Sequence, residues 1–173
     1  LNAPTPGTGV QPLGSAAGNV YYYDSSGSFQ QRQLMTNFNT RFRSNVMLFG
    51  FYSYGRTNGD TDGAGSFPAN TYDLSTEYGR SSFDIHHRFL MGGNVRAKWG
   101  VSLNPFLMYS TGGPFNITTG RDNNADSVFN DRPSFAAPGA TGRDIVNTAY
   151  GTFNLNPQPG ETLIPRNYGN GPD

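Results

Sequence analysis

The chain has 173 residues, with 12 Lys and Arg set against 12 Asp and Glu, so binding to nucleic acid or an anionic membrane by net attraction is excluded. Only 35% of it is hydrophobic although 14% is aromatic, and 23 Gly and 12 Pro imply many turns and long loops. The absence of Cys removes a disulfide scaffold and a thiolate metal site, and no apolar run reaches the about eighteen residues of a membrane helix.

Leu1 is not preceded by Met, and no basic-then-apolar signal follows it, so the chain is expected to be a mature form or a fragment. Leu1 to Gly18 is rich in Pro, Gly, Ser and Ala, has no period and reads as an arm. Residues 19–118 read as a meander of strands. Tyr21, Tyr22 and Tyr23 open it with strand-favouring side chains. Across Gln30 to Phe42, Leu34, Thr36, Phe38, Thr40 and Phe42 share one parity, and Gln33, Asn37, Asn39 and Arg41 share the other. Alternate side chains on a strand point to opposite faces, so this segment has two chemically different sides. Arg43 to Asn45 is a tight turn, Val46 to Thr57 a second strand, and Asn58 to Gly79 a long polar connection.

Arg80 to Thr118 is expected to form a hairpin. Its odd positions carry Phe83, Ile85, Phe89 and Met91, and its even positions Asp84, His86, Arg88 and Arg96. The reading is one apolar face toward lipid or a partner (Phe83, Ile85, Phe89, Met91) and one polar face toward a lumen (Asn37, Asn39, Arg41, Asp84, Arg88, Arg96). Residues 119–173 read as a Gly/Pro-rich loop region. Short extended pieces are expected near Val146 to Asn154 and Thr162 to Ile164, and one helical turn is a candidate over Arg143 to Thr148. The fold class is all-β: an antiparallel meander of long strands with long loops. Connections that alternate between long and tight suit part of an outer-membrane barrel. A soluble sandwich shows the same alternation, so periodicity leaves both open.

Chemistry-bearing constellations are sparse. Asp122, Asn124 and Asp126 stand at alternate positions and form a candidate Ca2+ loop. Ser127 stands where such a loop needs Gly and Pro133 where it needs the bidentate Glu, and an Asx-rich turn explains the same residues. His86 and His87 point to opposite faces of a strand and cannot share an ion. Asp84 and His86 have no nucleophile elbow near them, so no enzyme is expected. Trp99 and the strand-end Tyr residues are candidates for an interfacial aromatic belt. Tyr21 to Tyr23 are candidates for glycan stacking, with ordinary strand composition as the simpler account.

Phe67-Pro-Ala-Asn-Thr-Tyr-Asp-Leu-Ser-Thr-Glu-Tyr-Gly-Arg-Ser-Ser-Phe-Asp-Ile-His-His-Arg-Phe89 resembles a stretch of the large TonB-dependent outer-membrane receptors of the Oar-like group, which carry a carboxypeptidase-regulatory-like domain and are abundant in acidobacteria. His86 departs from that pattern, where Arg is more usual. Gly113-Pro-Phe-Asn-Ile-Thr-Thr-Gly120, Asn130-Asp-Arg-Pro133, Ile164-Pro-Arg-Asn-Tyr-Gly169 and Asn37 to Phe51 extend the likeness over almost the whole chain. The resemblance implies a C-terminal portion of a barrel of about twenty-two strands. Its strands would line a channel and its loops an outer vestibule. Its partners would be outer-membrane lipid, the rest of the barrel and the plug, in a Gram-negative bacterium. Four long strands cannot close a barrel, whose smallest examples have about eight. A second expectation is therefore a secreted fibre subunit derived from such a receptor, built from copies of itself by strand addition. A soluble glycan- or Ca2+-binding sandwich is a third.

Overall fold

The computed structural model describes residues 21–42, 44–71 and 73–173. The expected arm, Leu1 to Gly18, lies outside them. The described chain is all-β, with no α-helix. Strands β1 (Phe29–Phe42) and β2 (Val46–Gly59) form a hairpin in full antiparallel register from Phe29 opposite Gly59 to Phe42 opposite Val46. Each has 14 residues, about 45 Å of extended chain at 3.3 Å per residue. Soluble strands average about five or six residues, whereas a tilted bilayer-crossing strand needs about 9–11.

On its other edge β2 pairs with β3 (Gly79–Arg80) and β4 (His87–Arg96). β4 in turn pairs with β5 (Ser102–Leu103) and β6 (Phe106–Ser110). Tight turns at residues 44–45 and 97–101 lie at one end of this sheet. In the second, Trp99 takes a left-handed φ of 63° and its ring is fully exposed. The long connections, residues 60–86 and 111–173, lie at the other end. The expected alternation of long and tight ends is therefore present.

The expected continuous strand from residue 80 onward is broken. Ser81 N donates to Thr57 O (3.0 Å), and Gly55 N donates to His86 O (2.9 Å). Residues 82–85 therefore loop out beside β2. The Asp84 carboxylate drops into the gap and accepts from Thr57 N at 2.7 Å, replacing a ladder carbonyl. Two further expectations fail locally. Residues 21–28 form no strand, because Tyr21 leaves the sheet and packs edge-on against Phe67 at 5.2 Å. Residues 145–148 are strand rather than a helical turn, paired with residues 151–154.

The long connections fold onto each other as a cap. It contains a three-stranded sheet of β8 (Ser134–Phe135), β10 (Gly151–Asn154) and β9 (Ile145–Thr148), and a pair of β7 (Pro114–Phe115) with β11 (Gly169–Asn170). Phe153 and Ile164 are buried in the cap, with Phe135 and Tyr168 edge-on to one another at 5.5 Å. Ala69, Phe153 and Ile164 are the only buried hydrophobic residues among those described, and none belongs to the large sheet. The large sheet is thus one layer thick, with both faces uncovered.

Candidate functional site

The pairing register assigns every sheet residue to a face. One face carries Leu34, Thr36, Phe38, Thr40 and Phe42 of β1, and Val46, Leu48, Tyr52 and Tyr54 of β2. It continues through Phe89, Met91 and Val95 of β4 and Leu107 and Tyr109 of β6. Toward the long-loop end Tyr52, Tyr54, His87 and Tyr109 gather on it. Tyr52 Oη lies 2.7 Å from His87 Nδ1, so these amphipathic rings pair their polar tips where the apolar band ends.

The opposite face carries Asn37, Asn39 and Arg41 of β1, Ser53 of β2, and Arg88, Asn94 and Arg96 of β4. Phe49, Phe51, Leu90, Phe106 and Met108 are interleaved with them. Asn94 Nδ2 donates to Asn104 Oδ1 at 2.8 Å on this side. Asn37, Asn39, Arg41, Arg88 and Arg96 thus share one face, and Phe89 and Met91 share the other.

Three of the expected face residues are not on the sheet. Phe83, Ile85 and Asp84 all belong to the looped-out segment. Phe83 is exposed and Ile85 half-buried, away from the apolar band. Asp84 is 1% exposed and faces no open surface. It accepts from Arg80 Nε and His86 Nε2, each at 2.9 Å, in addition to Thr57 N. Burial pulls its carboxyl up, but Arg80, Thr57 N–H and His86 together hold it below its ordinary value.

Asp84 opens a polar network that ties the two long connections together. Arg166 bonds Asp62 at 2.5 Å through Nη2 and donates to Gly59 O at 2.9 Å through Nη1. Asp62 also accepts from Ser81 Oγ (3.1 Å) and Ser82 N (2.9 Å). Asn167, at a left-handed φ of 52°, donates from Nδ2 to Arg80 O at 2.7 Å and from N to Asn116 Oδ1 at 2.7 Å. Arg132 and Glu77 form a pair at 2.8 Å with both side chains almost fully buried. Removing one member of such a pair strands a charge and costs about 3–5 kcal/mol.

Apart from Thr57, Gly59 and Asp62, these partners come from the quoted stretches Phe67 to Phe89, Gly113 to Gly120, Asn130 to Pro133 and Ile164 to Gly169. Sequence reading singled out the stretches but gave Arg132, Arg166 and Asn167 no role. The available signal was placement: every Asp and Glu lies outside β1, β2, β4 and β6, so the loops alone can supply counter-charges for the loop arginines.

Asp122, Asn124 and Asp126 sit in one loop and turn their oxygens onto its own backbone, except for one Asp126 oxygen that takes Thr71. Asp122 accepts from Asp126 N (3.0 Å) and Ser127 N (2.9 Å), and Asn124 Oδ1 from Asp126 N (3.0 Å). Asp126 accepts from Val128 N (2.9 Å) and from Thr71 N and Oγ1. This is an Asx-turn geometry that left-handed Ala125 and Ser127 complete. Among the described residues no group of three or more His, Cys, Asp and Glu side chains is arranged to hold a metal ion.

A long-stranded, single-layer sheet with one apolar and one mixed face is the wall geometry of a membrane barrel. A family model described as an outer membrane beta barrel domain matches residues 1–173. The chain belongs to that family. No curated protein and no solved structure matches it. Membership places this outer-membrane barrel protein in a Gram-negative bacterium. No helix among the described residues is long and apolar enough to cross a membrane, and a barrel crosses with strands instead.

Proposed function

We propose that the chain is a wall segment and outer vestibule of a TonB-dependent receptor of the Oar-like type. The observation that carries this reading is the single-layer sheet with two uncovered faces of unlike chemistry. The apolar face meets lipid. The face with Asn37, Asn39, Arg41, Arg88 and Arg96 lines the lumen and holds the plug by hydrogen bonds. Among the described residues the outer edges of β1 and β6 pair with no strand, and further strands of the receptor continue the wall there. Meeting of the receptor-like stretches in one cap supports reading them as a single outer vestibule. Transport draws its energy through the plug, and no hydrolytic step is assigned to these residues.

Cysteine labelling of the full-length receptor in intact outer membranes tests the assignment of faces. Asn39→Cys and Arg88→Cys are expected to react with a hydrophilic maleimide small enough to enter the channel. Phe89→Cys and Met91→Cys are expected to react only with a lipid-soluble one. Reversed labelling rejects the reading.

One observation favours a second reading. The 14-residue outer edge of β1 is open among the described residues, and an open edge templates a further strand. A fibre built by strand addition would appear as filaments in native material without detergent. The receptor reading expects detergent-soluble particles there.

A further inference from the structure

We propose that Arg32 and Arg56 form a binding site for the phosphate of an anionic lipid headgroup in the outer leaflet. The inference rests on the reading that the apolar face meets lipid. Arg32 and Arg56 are direct cross-strand partners in the β1–β2 register. Like charges directly opposite each other on a sheet repel, so the pair costs stability unless an anion sits between them. The four main strands carry no Asp or Glu to supply one, and neither arginine belongs to an ion pair among the described residues. Tyr54 acts on Arg56 most strongly, through a side-chain hydrogen bond that offers a hydroxyl and not a carboxylate. The carboxylate whose field reaches Arg56 is that of Asp84, and it is buried and already bound to Arg80 and His86.

Position selects the ligand. Both arginines share the face of Leu34 and Tyr54, one pair further toward the long-loop end, which is the outer side of such barrels. That step is about 7 Å along the strand, enough to carry the guanidinium groups from the aromatic belt to headgroup depth. Gln30 and Asn58 stand opposite each other one pair beyond. Arg32, Arg56, Leu34, Tyr54, Gln30 and Asn58 line one open groove. It offers two planar cationic forks, amide donors above them and apolar side chains below. A forked guanidinium matches phosphate oxygens two at a time, which suits a phosphorylated headgroup whose acyl chains run down the apolar face. The zero net charge of the chain is no obstacle, because the acids are segregated in the loops.

The test uses the full-length receptor in neutral detergent. Its probes are diphosphorylated lipid A, the same lipid without phosphates, and inorganic phosphate, read by native mass spectrometry. Arg32→Gln/Arg56→Gln is expected to weaken binding of the diphosphorylated lipid by about tenfold or more and to leave the dephosphorylated lipid unaffected. Arg32→Lys/Arg56→Lys, which keeps the charge but loses the fork, is expected to fall between. Unchanged binding in the Gln variant overturns the site, as does displacement of the lipid by an equal concentration of inorganic phosphate. A fluorophore on Leu107→Cys, exposed on the same face, is read in vesicles containing nitroxide lipid. Quenching there with unchanged lipid A binding rejects the arginine site alone. No quenching rejects the lipid-facing reading and the site with it.

Discussion

Asp84 takes the place of a missing strand residue beside β2, and its titration follows from that duty. Its carboxyl lies below the ordinary 3.8, and so does that of Asp62, where burial is outweighed by Ser82 and Arg166. A depressed folded-state value means that the folded form binds the proton less readily than the unfolded form. The stabilisation is therefore complete above about pH 5 and is lost as pH falls below the ordinary value and through the folded one. Asp131 runs the other way: burial, with Asp126 and Asp122 nearby, raises its carboxyl, so its protonation relieves a penalty as pH falls. Amide exchange of peptides 60–86, corrected for intrinsic rate, is expected to speed up between about pH 5 and pH 3. Asp84→Asn is expected to exchange faster above pH 5 and to keep only the shallower pH dependence that Asp62 supplies. Parallel profiles for parent and variant would show that Asp84 does not hold this segment.

At the scale of the strand, β1 was legible from alternation nearly to the residue, because it is long and its two faces differ; β2 was legible in extent, but with Phe49, Phe51, Tyr52 and Tyr54 on both parities its faces follow only from its register with β1. The start of β4 was not legible. Asp84 and His86 fit the polar parity perfectly well as strand residues. What displaces them is a bond from Asp84 to Thr57, 27 positions away, and no local period contains that information. The cap was less legible still: Arg132 reaches Glu77 across 55 positions and Arg166 reaches Gly59 across 107. Close packing within the sheet was also hidden. A Cβ on Gly50 would lie 2.1 Å from Leu90 O and 2.7 Å from the Phe38 ring, so the sheet needs glycine there. Met91 and Asn39 provide a matched test, because they lie one residue apart in height on opposite faces. Met91→Arg is expected to cost about 2–4 kcal/mol of folding stability in lipid vesicles, and Asn39→Arg much less. Denaturant titration of the reconstituted outer-membrane barrel measures both, and equal losses would contradict the assignment of faces.

For the whole molecule, the decisive quantity is what the large sheet leaves bare. Leu34, Phe42, Phe49, Leu103, Phe106, Leu107 and Met108 are all at least 44% exposed. Leu34, Phe42, Leu103 and Leu107 lie on one face and Phe49, Phe106 and Met108 on the other; apolar surface bare on this scale recruits a covering phase, and the open edge of β1 recruits a strand. Residues 1–173 produced alone are therefore expected to form large assemblies in detergent-free buffer. The same residues within the closed barrel of the receptor proposed above are expected to give a folded band on gels that shifts on heating. Light scattering coupled to size exclusion reads the first outcome, and a compact detergent-free monomer would overturn the wall interpretation.

The bonds from Arg166 to Asp62, Asn167 to Arg80 and Arg132 to Glu77 join residues 60–86 to residues 111–173 across the mouth of the sheet. Loops stitched together in this way cannot swing independently, since parting them would tear buried charges from their counterparts. Motion at this end is cheapest as a rigid block tilting at the joints where the cap meets β2, β4 and β6. Any widening of this mouth would then come from that tilt, while the seam between the loops stays shut.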